Sequence, residues 1–506
     1  MLHSIEAVIG SGNDHGERLT FRPTERRLAE HDRAIVGYVR IEPVRVERLN
    51  GQNVSQPGLS LRLYRFDPGS IRMVRHHVIS LPDSWRQFAR TTHPSQGSRA
   101  VDRNIDTSAA VDWGRRRFTF QGMLRNVIVR VGVLVLMSLT AVQTACAQSR
   151  DETRLRGSDY WETDFSVASV PLSEIVSGGP PKDGIPAIDR PRFETVAAAG
   201  SWLGERDPIL VVEIDGTTRG YPLGILIWHE IVNDELAGVP LIVTFCPLCN
   251  TALVFDGRLG ERVLKFGTTG RLRQSDMVMY DRQTESWWQQ AVGEAIVGTL
   301  TGERLTMIPA VTLGWDRARQ LYPDMRVLSR DTGFPSYMSS GRYGQNPYEN
   351  YDSRRGPYQR FFQGSFSDDL PAMERVVAID EGSGWAASFS DLKKAGTAHG
   401  KLEGREFVVF WAPGTASALD KSRIASGRDI GQTAAFSRIV NGRTLTFEKT
   451  GDHLYKDHET GTTWDLAGRA TEGPLAGARL TPVPHGNHFW FAWTAFRPQS
   501  AMWSAR

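Results

Sequence analysis

Two cysteines with the spacing Cys-x-x-Cys are the residues best suited to chemistry in this sequence of 506 residues. Cys246 and Cys249 follow an apolar segment, and His229 lies upstream, near the end of a predicted helix. Two thiolates and an imidazole are ligands that suit zinc or copper. Cys246, Cys249 and His229 are therefore the candidate ligands of a metal site, in which Asn233 or Asp234 would orient the imidazole through a hydrogen bond.

The role of the cysteine pair stays open between three alternatives. A fixed disulfide across so short a loop would stabilise the fold by only about 2 kcal/mol. A dithiol that cycles between reduced and oxidised forms is the second alternative, and metal binding is the third. The leading hypothesis is an exported protein that binds a soft metal ion or cycles a dithiol. The rival is a non-catalytic envelope module with a static disulfide and an aromatic cleft for a ligand or partner. The sequence does not decide whether the protein is an enzyme.

A tyrosine-rich segment could supply that cleft. Six of the 12 tyrosines lie between Tyr322 and Tyr358, and the residues around them are rich in Gly, Ser and Pro. Tyr343, Tyr348 and Tyr351 are the candidate cleft residues, because long ordered loops are often functional. The alternative is an irregular connection whose aromatic rings pack over apolar surface.

An internal repeat relates two parts of the chain. The segment that begins Asp281-Arg-Gln-Thr284 and reaches Trp288 resembles the segment that begins Asp457-His-Glu-Thr460 and reaches Trp464. Similar spacing continues through Gly, Leu and Pro residues on both sides. The sequence therefore predicts two related units, of which only the first carries the cysteines. Asp281, Thr284, Asp457 and Thr460 are expected to be structural, with each carboxylate capping backbone N–H groups in a turn.

Short β-branched and aromatic runs separated by Gly, Asn and Asp predict an α+β fold. We expect two tandem related units dominated by short antiparallel strands, each closed by a C-terminal helix. The predicted strands of the first unit are 209–214, 241–245, 252–255, 263–266 and 277–280, and its predicted helices are 223–232 and 312–321. The expected organisation is a lead-in over 148–206, the first unit over 207–324, a Tyr-rich linker over 325–373 and the second unit over 374–499.

The first part of the chain has a different character. Residues 1–122 carry 19 Arg, no Lys and 13 acidic residues, whereas residues 148–506 carry 39 basic and 44 acidic residues. The excess of positive charge thus belongs to the first part, which argues against a nucleic-acid partner for the remainder. We expect residues 1–122 to be a disordered, non-native extension that arises from the choice of start site.

Residues 123–147 have the layout of a secretory signal peptide: a short basic stretch, an uncharged run and an Ala-Cys146-Ala cleavage site. The sequence thus predicts an extracytoplasmic protein whose contact with a membrane comes only through this segment, whether it is cleaved, lipidated at Cys146 or kept as an anchor. The sequence contains no phosphate-binding Gly loop, no G-x-S-x-G and no H-E-x-x-H. No motif therefore supports nucleotide binding or one of the common hydrolase mechanisms.

Several motifs together resemble the bacterial and archaeal domain-of-unknown-function family 3179. They are Tyr221-Pro-Leu, Trp228-His-Glu-Ile-Val-Asn-Asp234, Cys246-Pro-Leu-Cys-Asn-Thr251, Ser275-Asp276 with Met279-Tyr-Asp-Arg282, and Phe489-Trp-Phe-Ala-Trp493. The similarity spans about residues 190–500, and residues 1–122 have no counterpart in it. The resemblance implies extracytoplasmic proteins, often with a signal peptide or anchor, and no known activity. It places His229, Asn233, Cys246 and Cys249 on characteristic motifs without assigning them a role.

Overall fold

The computed structural model describes residues 149–157, 159–334 and 342–505, together with the backbone of two paired strands, Ala7–Val8 (β1) and Thr20–Phe21 (β2). Apart from these two strands, the expectations for residues 1–122 and 123–147 lie outside the described residues. Residues 149–505 belong to one compact unit. Within the described chain, no helix is both long enough and apolar enough to cross a membrane.

The fold is mixed α+β, as predicted, with many strands and few helices. Residues 149–156 are helical, and the other α-helices are short: Val196–Ala199 (α1), Leu223–His229 (α2), Trp315–Leu321 (α3), Phe389–Ala395 (α4) and Trp490–Phe496 (α5). The strands therefore carry most of the buried apolar surface.

The first half of the compact unit forms three sheets. Its strands are β3 (Ile175–Ser177), β4 (Phe193–Thr195), β5 (Pro208–Ile214), β6 (Thr217–Pro222), β7 (Ile231–Leu236), β8 (Val239–Cys246), β9 (Thr251–Asp256), β10 (Arg258–Leu259), β11 (Arg262–Val263), β12 (Phe266–Arg273), β13 (Asp276–Asp281), β14 (Trp287–Gln289), β15 (Glu294–Val297), β16 (Met307–Ile308), β17 (Ala310–Gly314) and β18 (Arg326–Leu328). Sheet A has the order β17-β5-β6-β18-β4, sheet B the order β16-β9-β8-β7, and sheet C the order β15-β14-β13-β12-β3; β10 and β11 form a separate hairpin.

The second half also forms three sheets. Its strands are β19 (Arg375–Ile379), β20 (Trp385–Ser388), β21 (Thr397–Leu402), β22 (Arg405–Ala412), β23 (Gln432–Ser437), β24 (Ile439–Val440), β25 (Arg443–Thr444), β26 (Phe447–Lys449), β27 (Leu454–Asp457), β28 (Thr463–Asp465), β29 (Ala470–Glu472), β30 (Gly486–Phe489) and β31 (Ala501–Trp503). Sheet D has the order β30-β19-β20-β31, sheet E the order β21-β22-β23, and sheet F the order β26-β27-β28-β29; β24 and β25 form a separate hairpin.

Sheet A and sheet D share the order and direction of four strands. In sheet A, β17 and β6 run antiparallel to β5, and β18 runs parallel to β6. In sheet D, β30 and β20 run antiparallel to β19, and β31 runs parallel to β20. The helices α3 and α5 follow β17 and β30 directly, but each is itself followed by a further strand, β18 or β31.

One connection differs strongly between the halves. In the first half, β8 and β9 are joined by residues 247–250, which contain Cys249. In the second half, β22 and β23 are joined by residues 413–431, which contain no cysteine. The carbonyl oxygens of Asp420 and Ser422 in this longer connection accept hydrogen bonds of 2.7 Å from the backbone amides of Asn350 and Asn346. The second half thereby holds the tyrosine-rich segment.

Both halves contribute to the same core. The hydrophobic cluster around Cys246 and Cys249 includes Leu419, Ile424 and Phe489 from the second half. A second cluster joins Trp315 with residues of β22. The halves are therefore not independent folding units, because separating them would expose apolar surface on both.

The predicted helix 223–232 is shorter in the structure, where α2 ends at His229. Glu230 follows with φ 59° and ψ −31°, outside the helical region. The β-branched Ile231 and Val232 then pair with β8. The predicted strand 263–266 is also wrong in part, because Val263 ends β11 and Phe266 begins β12.

Candidate metal site

The Cys-x-x-Cys loop is built by the turn between β8 and β9. Cys246 ends β8 and pairs with Thr251, and residues Pro247–Cys249 form one turn of 3₁₀ helix. Asn250 then takes the left-handed conformation with φ 54°, which Asn tolerates better than most residues. The two cysteines are free and buried, with exposed fractions of 2% and 0%.

A neighbouring hairpin brings a carboxylate to the same place. Gln274 and Ser275 connect β12 to β13, and both have positive φ values, 52° and 64°. Hairpin turns of this kind favour Asn-Gly, so two residues with larger side chains are strained here. Asp276 follows at once as the first residue of β13. The Cys246 thiol lies 3.7 Å from the Ser275 carbonyl oxygen and donates to it.

Cys246, Cys249 and Asp276 form a group that could hold a metal ion. One ligand atom from each residue lies within 4.8 Å of the other two, and all three residues are buried. Oδ2 of Asp276 accepts hydrogen bonds from Nε2 of Gln289 at 2.6 Å and from the Ala291 amide at 2.9 Å. Oδ1 of Asp276 is buried and has no hydrogen-bond partner in the described chain. The thiols of Cys246 and Cys249 lie close enough to Asp276 to lower its pKa as hydrogen-bond donors.

The electrostatics of the group favour a cation. Burial raises the pKa of both thiols, and the neighbouring Asp276 raises the two pKa values further. Burial also raises the pKa of Asp276 to about 6. Burial and the nearby Asp276 raise the pKa of Glu230 to about 8. A positive ion among these acidic groups would offset both the burial and the mutual repulsion of their charged forms.

His229 is not a member of this group. Its Nδ1 lies 2.7 Å from the Pro186 carbonyl oxygen, and its Nε2 lies 2.6 Å from the Tyr343 hydroxyl. The predicted set of ligands is therefore replaced in the structure by one in which Asp276 stands beside the two sulfurs. With both ring nitrogens engaged, His229 links the end of α2 to the tyrosine-rich segment.

Asn233 and Asp234 do not hydrogen-bond to the His229 imidazole. Nδ2 of Asn233 donates to the carbonyl oxygen of Phe266 at 2.8 Å, and its Oδ1 accepts from the amide of the same residue at 2.8 Å. Asp234 accepts a hydrogen bond of 2.7 Å from the Tyr221 hydroxyl. Asn233 thus fixes the start of β12, the strand that leads to the turn before Asp276.

The candidate cleft tyrosines lie against the site. The Tyr351 hydroxyl donates to the Leu248 carbonyl oxygen at 3.0 Å, inside the cysteine loop. The ring of Tyr351 stands 5.0 Å from that of Tyr358 and 6.5 Å from that of Tyr348, measured between centroids. Tyr343 bonds to His229 and, at 2.7 Å, to Thr332. Tyr351 therefore lies against the cysteine loop, whereas Tyr343 lies at His229, outside the group of three ligand atoms.

The repeated turns have matching hydrogen bonds. Asp281 accepts from the backbone amide and hydroxyl of Thr284, and from the indole N–H of Trp288 at 3.0 Å. Asp457 accepts from the same groups of Thr460, and from the indole N–H of Trp464 at 2.8 Å. The carboxylates therefore hold turns and lie in separate hairpins.

Sequence reasoning missed Asp276 as a candidate ligand. Nothing in its spacing connects it with the cysteines, since the turn between β12 and β13 meets the end of β8 only in the folded chain. The available signal was the motif Ser275-Asp276, in which a carboxylate follows a turn directly.

Comparison with known proteins agrees with the motifs. The profile of the family described as "Protein of unknown function (DUF3179)" matches residues 182–500. This range contains the cysteine loop, the hairpin before Asp276 and the tyrosine-rich segment. No curated protein and no solved structure matches the chain. The family match covers more than half of the sequence, and the chain belongs to the DUF3179 family.

Proposed function

We propose that the protein binds a zinc or copper ion through Cys246, Cys249 and Asp276. The observation that carries this proposal is the cluster itself, in which ligand atoms of two buried thiols and one buried carboxylate lie within 4.8 Å of one another. Oδ1 of that carboxylate has no hydrogen-bond donor in the described chain other than what the two thiols could supply. A metal ion would engage this oxygen and both sulfurs at once.

Zinc suits the three ligands better than copper(I). Zinc accepts thiolate and carboxylate ligands together, whereas copper(I) prefers sulfur alone. Three protein ligands are also the number found in catalytic zinc sites, where water or substrate takes the fourth position. Glu230 is near enough to Asp276 for the charge of Asp276 to raise its pKa, but it lies outside the group of three ligand atoms.

Cycling of a dithiol fits the site less well. Thiol exchange needs a thiolate with access to its partner. Burial raises the pKa of Cys246 and of Cys249, so both remain protonated near neutral pH without a bound cation. Tyr351 also covers the loop between them.

Metal analysis of the purified full chain tests the proposal. We expect about one equivalent of zinc or copper per chain, and loss of that metal in Cys246→Ser and in Asp276→Asn. The matched control is Asp457→Asn, which neutralises an equally buried carboxylate in a turn of the second half. Its metal content should equal that of the parent protein. Equal metal content in all variants would refute the site. A disulfide between Cys246 and Cys249 in metal-free parent protein purified without reductant would favour the rival structural module.

We further propose that the two halves descend from one duplicated module, of which only the first kept the site. The shared strand order of sheets A and D and the matching Asp-Thr-Trp turns support this origin. Replacement of residues 247–250 by the longer connection 413–431 accounts for the loss of Cys249.

We also propose that the segment 123–147 directs export, so that the protein acts outside the cytoplasm. Its basic, uncharged and cleavage-site parts support this location. Sequencing the N-terminus of the protein recovered from outside the cytoplasm tests it. A start near Gln148 is expected, and a start upstream of Met123 would refute it.

A further inference from the structure

A cavity beside the tyrosine-rich segment is not used by the metal site. It has a volume of about 1090 Å³. Residues between 354 and 366 line the cavity. Its charged and aromatic side chains are Arg354, Arg355, Tyr358, Arg360, Phe362 and Phe366. This volume is at the upper end of the range for small-molecule sites.

The charged residues that line this cavity all have the same sign. Arg354, Arg355 and Arg360 are exposed, and no carboxylate of the described chain lies within 4 Å of their guanidinium groups. Other cavities of the described chain contain paired arginines. In one of them, Arg479 lies 2.7 Å from Glu213. The cavity near Tyr358 therefore carries three positive charges that nothing in the described chain neutralises.

Aromatic rings hold two of these arginines in place. The guanidinium group of Arg354 lies 4.4 Å from the ring centre of Tyr358. That of Arg360 lies 4.4 Å from the ring centre of Phe361 and 5.6 Å from that of Tyr358. A guanidinium group stacked on a ring keeps the N–H groups at its edge available for a carboxylate or phosphate. Nε of Arg354 already donates to the Gly356 carbonyl oxygen at 3.4 Å, which leaves its two terminal nitrogens for a ligand. Stacking also lowers the conformational entropy lost when a ligand binds.

The backbone of the cavity wall is anchored to the hairpin that carries Asp276. The Ser275 amide donates to the Phe361 carbonyl oxygen at 2.8 Å. The Gly364 amide donates to Oε1 of Gln274 at 2.6 Å. The wall therefore keeps its shape without a ligand, as a preformed site requires.

We propose that this cavity binds a small organic polyacid, a molecule with two or more carboxylate or phosphate groups on a planar or apolar frame. The acid groups pair with the guanidinium groups of Arg354, Arg355 and Arg360. The frame packs on the rings of Tyr358, Phe362 and Phe366. A small ligand suits the site better than a long polyanion, because residues 148–506 carry 44 acidic and 39 basic residues.

Calorimetric titration of the full chain tests this site. The probes are benzene-1,3,5-tricarboxylate, which is a planar triacid, and inorganic phosphate, which has no frame. We expect the triacid to bind and phosphate to bind at least about tenfold more weakly. We also expect Arg355→Gln/Arg360→Gln to weaken triacid binding by at least about tenfold, since two charge-assisted contacts are lost.

The matched control is Arg262→Gln/Arg443→Gln, which removes two exposed positive charges on the hairpins β10–β11 and β24–β25. Its affinity should equal that of the parent. No binding of the triacid, or equal weakening in both double variants, would overturn the site. Equal affinities for phosphate and the triacid would overturn the role of the frame. The metal content of the protein does not enter any of these outcomes.

Discussion

The hydroxyl of Tyr351 donates a hydrogen bond of 3.0 Å to the carbonyl oxygen of Leu248, the residue before the second cysteine of the Cys-x-x-Cys loop. Tyr351 lies 103 positions further along the chain than Leu248. One phenol thus connects the tyrosine-rich segment to the candidate ligands, and its removal should affect both stability and access to the thiols.

Tyr351→Phe is predicted to lower the free energy of unfolding by about 1 kcal/mol, because a buried carbonyl oxygen loses its partner. It should also increase the rate at which a thiol reagent modifies Cys246 and Cys249. Chemical denaturation and the kinetics of thiol modification in metal-free protein measure the two effects. The control is Tyr455→Phe, since Tyr455 is also buried and donates to the Trp411 carbonyl oxygen at 2.9 Å. Equal modification rates in both variants would contradict the covering role.

The metal-free protein should become less stable as the pH rises from about 4.5 to about 8, through Glu230. A carboxyl whose pKa is higher in the folded than in the unfolded chain binds more protons when folded. At low pH Glu230 is protonated in both states and does not affect stability. As the pH rises towards the pKa of the folded state, the unfolded chain ionises more readily, and the folded state loses stability. The full effect is a few kcal/mol.

Glu230→Gln removes this titration, so the variant should gain stability relative to the parent at pH 8.5 but not at pH 4.5. Denaturant unfolding at both pH values, with chelator and reductant present, measures the difference. The same difference at both pH values would show that the substitution acts through packing and not through the charge of Glu230.

Ser275→Gly is predicted to stabilise the metal-free protein by about 1 kcal/mol. Ser275 has a φ of 64°, which glycine adopts without strain. Its buried hydroxyl also has no hydrogen-bond partner in the described chain, so its removal has no cost there. Thermal unfolding checks the prediction, and a lower melting temperature would indicate that the hydroxyl has a ligand in solution.

A buried ion pair holds the tyrosine-rich segment to the second half. Nη2 of Arg375 lies 2.8 Å from Oδ2 of Asp352, and Ser417 donates to the same oxygen. Burial favours a higher pKa for Asp352, but Arg375, Ser417 and Arg428 outweigh it and hold that pKa below its usual value. The carboxylate therefore remains charged inside the protein.

Arg375→Met should destabilise the protein by about 1.5–3 kcal/mol, because Asp352 loses one of its two arginine partners while Arg428 stays 2.8 Å from Oδ2. The double variant Asp352→Leu/Arg375→Met should recover much of that loss, since no charge then remains buried there. Unfolding free energies of the two variants test this. A double variant less stable than Arg375→Met would show that the hydrogen bonds of Asp352, and not its charge, hold the segment.

The cysteine pair, the family and the strand-rich fold could be predicted from the sequence, since each depends on local spacing or composition. The partners of His229 could not. Pro186 and Tyr343 lie 43 and 114 positions away, and only the packing of remote segments brings them to the ring. The end of α2 was missed for a similar reason, because tertiary pairing of Ile231 with β8 outweighs local helix propensity.

The long connection 413–431 has a consequence for any attempt to isolate a smaller active fragment. The second half, which lacks cysteines, hydrogen-bonds to the tyrosine-rich segment and holds it in position. The first half contains the three candidate ligands, and the second half contributes to the core that keeps them from solvent. A fragment ending before residue 374 would keep Cys246, Cys249 and Asp276 but lose the second-half residues that hold the tyrosine-rich segment. Both halves are therefore needed to keep the three candidate ligands buried as they are in the structure.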